Sequence, residues 1–515
     1  MNIIRLSWIS MVPLLVVFTS TRAANILVFA PMPTKSHFGG FQPLFEELAV
    51  RGHNVTVVSA FPSKKTIANY TDIVYHISGK HLRELDPMEL AKMNFLTAVP
   101  TMWYLGTTIA RETLPNAVVQ DFILSDDRHF NLVLVFAFCQ EYSVALGHKY
   151  NAPVINLGVS MLWPSNSKWI GEPSTFSYIM DPRSGATEQA SFFERFKNTV
   201  LGVFQLYLGR YFYLPRQTKI MNENFKYKGW ENRPPLESML KNVSLTLLNT
   251  HHSIGTTRPY MPSTVEIGGL HVKKPNKLTG EFLEFVESSQ HGVIYFSFGT
   301  IVDPSKLPEE KIRVFIEVIK KLKQKVMWKW NSEHLPKLPD HVMVSDWFPQ
   351  SDILGHPNVK IFITHGGLHS LEEATYNSKP IIGIPFFGDQ HMNMLLVEKN
   401  GAGKMVDFHT MDEESLLNTI NEVLENPMYQ ENSNFRNQVY KDQPMTPMDL
   451  AVYWIEYVIR HQGAPHLRSE SVDLNTAQYF LLDILLVFVT FTSVLAYLIV
   501  KLFKCIFKTN VNKKV

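Results

Sequence analysis

The chain has only two cysteines in 515 residues, too few for a disulfide framework. Cys139 lies in the body of the chain, and Cys505 follows a long uncharged run near the C terminus. If that run crosses a membrane, the two thiols lie on opposite sides of it and cannot pair. The fold therefore depends on its core, which a chain of this length can supply.

An excess of charge of either sign is also missing. Lysine and arginine number 49, aspartate and glutamate number 47, and the formal net charge is +2. The charge balance gives no reason to expect a nucleic-acid partner. Hydrophobic residues make up 45% of the chain, which argues against a disordered protein. The length predicts two domains.

Charge is absent from two stretches at the ends of the chain. The first, Leu6–Phe18, is followed by small residues, among which Thr21 and Ala23 fit a signal-peptidase site. Residues 1–23 are therefore predicted to be a secretory signal peptide. The alternative is a buried first strand, but the next segment, Asn25–Ala30, already supplies that strand.

The second uncharged stretch, Ile484–Val500, is long enough to cross a bilayer when its apolar flanks are included. We predict a transmembrane helix over residues 479–500; a buried core helix is the alternative, and the lack of a polar face argues against it. Lysines follow the stretch: Lys501, Lys504, Lys508, Lys513 and Lys514. By the positive-inside rule, residues 501–515 form a cytosolic tail and the body of the protein is lumenal.

Between the two ends, strands and helices alternate. Strand Asn25–Ala30, a loop containing His37, helix Phe41–Arg51 and strand Val55–Ser59 are predicted to form a first β-α-β unit. The other predicted elements are strands 131–136 and 153–157, strand 293–298, helix 309–324, strands 326–330 and 359–364, helix 368–376, strand 380–387, helix 392–400 and strand 404–408. This alternation predicts an α/β protein with two doubly wound parallel sheets. Residues 163–191 are predicted to be loops over a ligand cleft.

The stretch Phe362–Gln390 carries the strongest indication of a site. It is predicted to form a strand, a turn at His365-Gly366-Gly367, a helix and a second strand. The start of such a helix has free backbone N–H groups and a partial positive charge, which suit a diphosphate. Asp389 and Gln390 follow the second strand, at the end where open α/β sheets bind ligands, and suit sugar hydroxyls.

This stretch resembles the signature of the UDP-glycosyltransferase family in its animal, membrane-anchored form. The matching positions are the His-Gly-Gly triplet, Ser370, Glu373, Pro380, Pro385 and the Asp389-Gln390 pair. The similarity extends from His37 to the C-terminal anchor. It implies two Rossmann-like domains facing a cleft, the GT-B architecture. The implied reaction moves a hexose, with glucose favoured, from a UDP-sugar to a hydroxyl of a small lipophilic acceptor, with inversion at the anomeric carbon.

The resemblance also gives a role to each predicted segment. Residues 24–271 would be the acceptor-binding domain, 272–279 a linker and 280–445 the UDP-sugar-binding domain. Residues 446–478 would contain a helix that returns to the first domain, followed by the juxtamembrane segment.

A set of residues in the second half is expected to bind the donor. Trp347 would stack on uracil and Gln350 pair with its edge, while Glu373 would accept both ribose hydroxyls. Histidine, hydroxyl and backbone groups would hold the diphosphate. The full set is Ser297, Gly299, Trp347, Gln350, Thr364, His365, Gly367, His369, Ser370, Glu373, Asp389 and Gln390. His369 stands where the family often has asparagine, and it can still donate a hydrogen bond.

His37 is the candidate catalytic base, because neutral histidine can take the proton of an acceptor hydroxyl. It matches the family's catalytic histidine; a loop histidine that bonds local backbone is the alternative. Where relatives place an acid that orients this base, the chain has Phe136. Glu141 is the candidate replacement, which could reach His37 or be a solvated helix residue. If no acid serves, the protein is a catalytically impaired homologue that binds lipophiles or UDP-sugar.

Neither a cofactor nor a metal is expected, because the helix terminus supplies positive charge and no Asp-x-Asp pair ends a strand. Asn54, Asn69 and Asn242 begin sequons and are candidate glycosylation sites. The implied location is the endoplasmic reticulum membrane, as a single-pass type I protein with lumenal catalytic domains, and an oligomer is compatible with the sequence. A third interpretation, an epimerase with a related fold, is opposed by the Trp347 and Asp389 elements and by the anchor.

Overall fold

Two separate parallel sheets form the body of the protein in a computed structural model of the chain. The structure describes residues 23–77, 89–90, 93, 97–181, 190–300, 302, 306–330 and 337–511. The first sheet has seven strands and the second has six, so the predicted α/β class with two doubly wound sheets is confirmed. The predicted signal peptide, up to residue 22, lies outside the described residues.

The first sheet has the strand order β3-β2-β1-β4-β5-β6-β7, and every neighbouring pair is parallel. Its strands are β1 (Asn25–Ala30), β2 (Asn54–Ser59), β3 (Tyr70–Val74), β4 (Leu132–Phe136), β5 (Val154–Gly158), β6 (Leu245–Leu248) and β7 (Thr264–Glu266). β4 and β5 are buried along their whole length, as parallel strands with both faces covered must be. The winding reverses between β1 and β4, which opens a crevice at their carboxyl ends.

Helices cover both faces of this sheet. Those described are α1 (Lys35–Val50), α2 (Ala98–Thr113), α3 (Ala117–Ser125), α4 (Ala145–Tyr150), α5 (Pro164–Ile170), α6 (Phe192–Leu208), α7 (Leu214–Asn224) and α8 (Leu236–Lys241). Helix α5 falls within residues 163–191, so the prediction of loops throughout that segment is wrong. Pro164 takes the first helical position, where a missing N–H costs nothing, and Trp169 is buried beneath it.

Helix α1 starts six residues before the predicted position, at Lys35 instead of Phe41. His37 therefore lies in the first helical turn, and the predicted loop around it is wrong. Pro43 lies in the helix interior, not near its start. Phe38 is buried together with later apolar residues of the same face, and this burial extends the helix through two glycines that sequence preference counts against.

The second sheet repeats the topology of the first, with the order β10-β9-β8-β11-β12-β13 and parallel pairing throughout. Its strands are β8 (Val293–Ser297), β9 (Lys325–Lys329), β10 (Val342–Ser345), β11 (Val359–Thr364), β12 (Ile381–Gly383) and β13 (Gly403–Met405). The edge strand β10 was not predicted. β12 ends before Pro385, which lacks the N–H that a longer strand would need. The crevice of this sheet lies between β8 and β11.

The helices of the second half cover its sheet and lead back to the first half. They are α9 (Gly280–Glu287), α10 (Glu309–Lys321), α11 (Gln350–Gly355), α12 (Leu368–Tyr376), α13 (Gln390–Lys399), α14 (Glu413–Glu425), α15 (Pro427–Lys441) and the return helix α16 (Pro447–Arg460). The return helix buries Ala451, Val452, Ile455 and Val458 in the core that includes Phe45 of α1. Arg51 Nη2 also lies 2.6 Å from Asp449 Oδ1. The predicted packing of this helix on the first half is thus present.

The chain ends in α17 (Thr476–Tyr479) and the long helix α18 (Leu482–Val511). Within the described part of the chain, α18 is the one helix long and apolar enough to cross a membrane, over Leu482–Cys505. None of that apolar stretch is buried against the rest of the protein. A buried core helix, the alternative interpretation, is therefore excluded.

Candidate functional site

The carboxyl ends of β8 and β11 meet at one edge of the second sheet. Thr364 of β11 is the register partner of Ser297 of β8, so the residues that follow these strands lie side by side. Gly299 follows β8 with a φ of +74°, a left-handed conformation that favours glycine. His365 follows β11. The structure thus brings together four residues predicted from distant parts of the sequence.

The His365 ring is held between two glycines. A side-chain carbon added at Gly299 would lie 2.8 Å from His365 Cε1, and one at Gly367 would lie 2.5 Å from His365 Nε2. Thr364 Oγ1 lies 3.3 Å from His365 Nδ1. Burial, together with the charge of Lys329, lowers the pKa of His365 to about 4. A neutral ring can still donate one N–H to an anion.

Helix α12 begins beside this ring without a side-chain cap. Gly367 is its N-cap residue and makes no capping hydrogen bond, so the N–H groups of the first turn have no partner within the helix. The helix has nine residues, and its dipole places partial positive charge at this end. Ser370 is buried within the first turn. These groups together can bind an anion such as a diphosphate.

Lys329, at the carboxyl end of β9, was missed in the sequence analysis. Its Nζ donates to Gly299 O at 2.9 Å, and its charge reaches both His365 and Lys35. Burial and the charge of Lys35 lower the pKa of Lys329. The signal that could have found it is its position, a cation at the end of a strand next to the strand that carries Ser297. A cation here can balance a phosphate charge.

Glu373, one turn into α12, is held by two residues of the neighbouring helix α11. Ser351 Oγ donates to Glu373 Oε1 at 2.6 Å, and Gln350 Nε2 donates to Glu373 Oε2. Gln350 Nε2 also lies 3.3 Å from Ser370 Oγ. The carboxylate is thus fixed in orientation, with Ser351 a further contributor that the sequence analysis did not name. Such a fixed carboxylate can accept hydrogen bonds from paired hydroxyls.

Trp347 precedes α11, and 64% of its surface is exposed. Trp347 is therefore not part of a hydrophobic core. An exposed indole face next to Gln350 is free to stack on a flat heterocycle.

Asp389 and Gln390 lie at the start of α13 and make different hydrogen bonds. Gln390 is buried, and its Oε1 accepts from the N–H groups of Phe386 and Phe387 at 2.8 and 3.1 Å. Asp389 Oδ2 accepts from Asn393 Nδ2 at 3.0 Å. The same Asn393 nitrogen donates to Gly366 O at 3.0 Å. Asn393, also missed from the sequence, therefore ties the Asp389 end of the site to the His365 loop.

His37 lies across from this site, at the crevice of the first sheet. Its ring is edge-on to Phe138, with centroids 5.2 Å apart, and Phe138 is in turn edge-on to Trp163 at 5.8 Å. Burial and the nearby His369 lower the pKa of His37 to about 4. The imidazole is therefore neutral at neutral pH, as a general base must be, and it stands beside an aromatic wall.

The two halves touch where His369 of α12 meets α1. A side-chain carbon added at Gly40 would lie 2.7 Å from His369 Nε2, and the His369 ring lies tilted against that of His271 with centroids 4.4 Å apart. Burial and the charge of His271 lower the pKa of His369 to about 3. The second half of the cleft thus approaches His37 through this histidine.

Glu141 is buried, so it is not a solvated helix residue. Its Oε2 accepts a short hydrogen bond from Tyr213 OH, and its Oε1 lies 3.5 Å from Asn166 Nδ2. Burial raises the pKa of its carboxyl group. Over the described ranges, no carboxylate makes a hydrogen bond or ion pair with His37. The role of Glu141 as the partner of His37 stays a prediction, and these contacts do not favour it.

The three sequon asparagines are all exposed. Asn54 begins β2 and its Nδ2 donates to Asn25 Oδ1 at 2.9 Å, whereas Asn69 has a left-handed φ of +62° before β3. Asn242 follows α8. All three have the surface position that a glycan needs.

Comparison with known proteins places the chain in one family. The family model described as "UDP-glucoronosyl and UDP-glucosyl transferase" matches residues 24–515. The chain is 37% identical over 468 residues to UDP-glycosyltransferase UGT4 of Dactylopius coccus, covering 90% of this chain and 91% of that protein. It is 30% identical over 486 residues to UDP-glucuronosyltransferase 2C1 of Oryctolagus cuniculus, covering 90% and 94%.

Solved structures show the same fold at low identity. The glycosyltransferase of kitacinnamycin aligns with a TM-score of 0.58 and 16% identity, covering 84% of this chain and 99% of that chain. The calicheamicin glycosyltransferase CalG4 aligns with a TM-score of 0.55 and 15% identity, covering 85% and 99%. At this identity the likeness supports the GT-B fold and carries nothing about substrates.

Proposed function

This chain belongs to the family of UDP-glucuronosyl and UDP-glucosyl transferases, enzymes that transfer sugar from a UDP-sugar, and we propose that it moves glucose to a hydroxyl of a small lipophilic acceptor with inversion. The observation that carries this proposal is the anion site around His365. That site has an uncapped helix terminus, a glycine-bordered histidine and a lysine, and it lies opposite His37.

The donor would lie along the carboxyl edge of the second sheet. Its uracil would stack on Trp347, its ribose hydroxyls would bond Glu373, and its diphosphate would lie on the start of α12 next to Lys329. The sugar would then extend toward Asp389 and Gln390. The leaving diphosphate gains negative charge in the transition state, and fixed N–H groups and a cation stabilise that charge. No resident cofactor or metal enters this proposal.

The acceptor would lie against the aromatic wall of Phe138 and Trp163. This wall suits a lipophilic molecule, and it borders the imidazole that would take the hydroxyl proton. The neutral His37 would accept that proton as the oxygen attacks the anomeric carbon from the face opposite UDP, which inverts the configuration.

We favour glucose over glucuronate on the side chains near the sugar end, although Asp389 and Gln390 do not by themselves exclude a carboxylated sugar. Asp389 is acidic and is bonded to the neutral Asn393. Arg258, a cation that would favour a carboxylated sugar, donates to Leu162 O and lies over Tyr260, both in the first half. The direct test is transfer to a panel of phenols with UDP-glucose and UDP-glucuronate in parallel. Faster turnover with glucuronate would overturn the glucose assignment and leave the class intact.

The second candidate function is a binding protein with impaired catalysis. Two observations favour it. Phe136 stands where relatives have the acid that orients the catalytic histidine, and Glu141 accepts a hydrogen bond from Tyr213. UDP binding in calorimetry, with no glycosylated product from any acceptor, would support this candidate. Product formation at steady turnover would reject it.

We further propose that the protein is anchored in the endoplasmic reticulum membrane by α18, with both sheets in the lumen. Its apolar surface and the lysines beyond it support this orientation. Glycosidase-sensitive mobility of the expressed protein, lost in the triple variant Asn54→Gln, Asn69→Gln, Asn242→Gln, would support lumenal exposure. Accessibility of the sequon-bearing body to protease in intact microsomes would overturn it.

A further inference from the structure

A cluster of two histidines and a buried glutamate lies where the linker meets α12. Ligand atoms of His271, His369 and Glu372 all lie within 4.8 Å of one another. His271 comes from the segment that leaves the first half, and the other two come from consecutive turns of α12. The donor site described above uses neither His271 nor Glu372.

The hydrogen-bonding pattern leaves lone pairs facing each other in this cluster. His271 Nε2 lies 3.3 Å from His369 O, which can only accept, so the proton of the neutral ring is on Nε2. His271 Nδ1 then presents a lone pair to Glu372 Oε2, at 3.5 Å. That separation is too long for a hydrogen bond to Nδ1. A cation placed between these two atoms could therefore bind both of them.

Glu372 is buried, with no cation among the described residues paired to it at hydrogen-bond distance. Its side chain is fully buried, and neither of its carboxylate oxygens makes a hydrogen bond, although Asn249 and the Gly269 amide are neighbours. His271 Nδ1 is also buried without a partner. An isolated buried carboxylate is costly unless it is protonated, paired or bound to a metal.

We propose that His271, His369 and Glu372 bind one divalent transition-metal ion, with Zn²⁺ the best fit, and that the bound ion inhibits sugar transfer. Two imidazoles and one carboxylate form a common zinc ligand set. Tetrahedral Zn²⁺ with ligand distances of about 2.0–2.2 Å separates its ligand atoms by about 3.4 Å. The 3.5 Å between His271 Nδ1 and Glu372 Oε2 matches that spacing. Small rotations of His369 would bring the third ligand in.

Inhibition follows from the position of His369, and this part rests on the proposed function. The same side chain is expected to face the donor and lies against Gly40 of the first half. A bound ion would hold the His369 ring toward His271 and Glu372 and so fix its orientation away from the diphosphate, and it would join the linker to α12. The ion is separate from the proposed transfer chemistry, to which no metal is assigned.

The binding test uses the full-length protein in detergent, stripped with a chelator, without UDP-sugar. Calorimetric titration with Zn²⁺ should show one tight site and a rise in Tm, whereas Mg²⁺, which prefers six oxygen ligands, should show neither. Glu372→Gln and His271→Gln should each weaken Zn²⁺ binding about tenfold or more. The matched control is His291→Gln, an exposed histidine of the same half, which should bind as wild type does.

Two outcomes would overturn the metal site: no Zn²⁺ binding by the wild type, or equal binding by the wild type, Glu372→Gln and His271→Gln. Two variants are used so that a folding defect in one leaves the other informative. In a separate assay, Zn²⁺ should lower the transfer rate of the wild type and not that of Glu372→Gln, each relative to its own metal-free rate. Inhibition of both alike would overturn the inhibitory role. If the protein binds Zn²⁺ but transfers no sugar, the proposed function is contradicted and the metal site is not.

Discussion

At the scale of single residues, the site depends on side chains whose charge is set by burial. His37 and His365 are both neutral near pH 7, because both have pKa values lowered to about 4. One can then accept a proton while the other donates an N–H to phosphate. Lys329 supplies the positive charge that neutral histidines do not.

His37→Ala should fold and bind UDP but transfer sugar about 10²–10⁴-fold more slowly, because the hydroxyl proton has no acceptor. For the wild type, the folded-state pKa of about 4 lies below the ordinary value of 6.5, so His37 stays neutral as the pH falls and charges only near pH 4. kcat/KM should therefore be level from pH 6 to 8 and drop toward pH 4. UDP affinity measured over the same range separates this effect from titration of His365. A fall centred near pH 6.5 would contradict the assignment.

Lys329→Gln should weaken UDP binding about tenfold or more, since a charge-assisted contact to phosphate is lost. The effect should be smaller for uridine, which has no phosphate, and calorimetry with both ligands measures the difference. Lys323→Gln, an exposed lysine just before β9, is the control. Equal losses for UDP and uridine would show that Lys329 acts on the fold and not on the diphosphate.

At the scale of elements, the strand-turn-helix around His365 was predicted correctly because apolar strands, glycines and a helical pattern agree there. Helix α1 was predicted six residues short because two glycines and Pro43 oppose helix locally, and only the burial of Phe38 reveals the true start. Lys329 was missed because a lysine that ends a strand looks like an ordinary surface residue. The contact of Glu141 with Tyr213 joins segments that are distant in sequence, and no local pattern indicates it.

The two adjacent glycines of α1 offer a matched pair. Gly39→Ala meets nothing within 4 Å and should stabilise the protein by about 0.5–1 kcal/mol, as alanine favours helix. Gly40→Ala has the same gain in helix preference, but its added methyl carbon would lie 2.7 Å from His369 Nε2. It should be less stable than Gly39→Ala and should transfer sugar more slowly. Chemical denaturation and initial rates measure both, and equal behaviour of the two variants would argue that the halves do not touch at this point.

At the scale of the whole molecule, residues from after the second half complete the core of the first. Ile455 of the return helix is fully buried there. Ile455→Ala should lower the free energy of unfolding by about 2–5 kcal/mol through lost packing and a cavity. Tyr453→Ala, at a position of the same helix that is 43% exposed, should cost far less. Limited proteolysis should then cut the first half sooner in Ile455→Ala, and cleavage confined to the second half would contradict the packing.

Because the return helix is packed on the first half, the chain crosses between the two halves twice. The crossings lie near residues 271–279 and near residues 442–446. Two anchoring points define a line, so the sheets are restricted to turning about that line, and free swinging or sliding apart is suppressed. Rotation about that line would open and close the crevice between the sheets. A ligand would enter and leave on the side of the crevice that lies away from the two crossings.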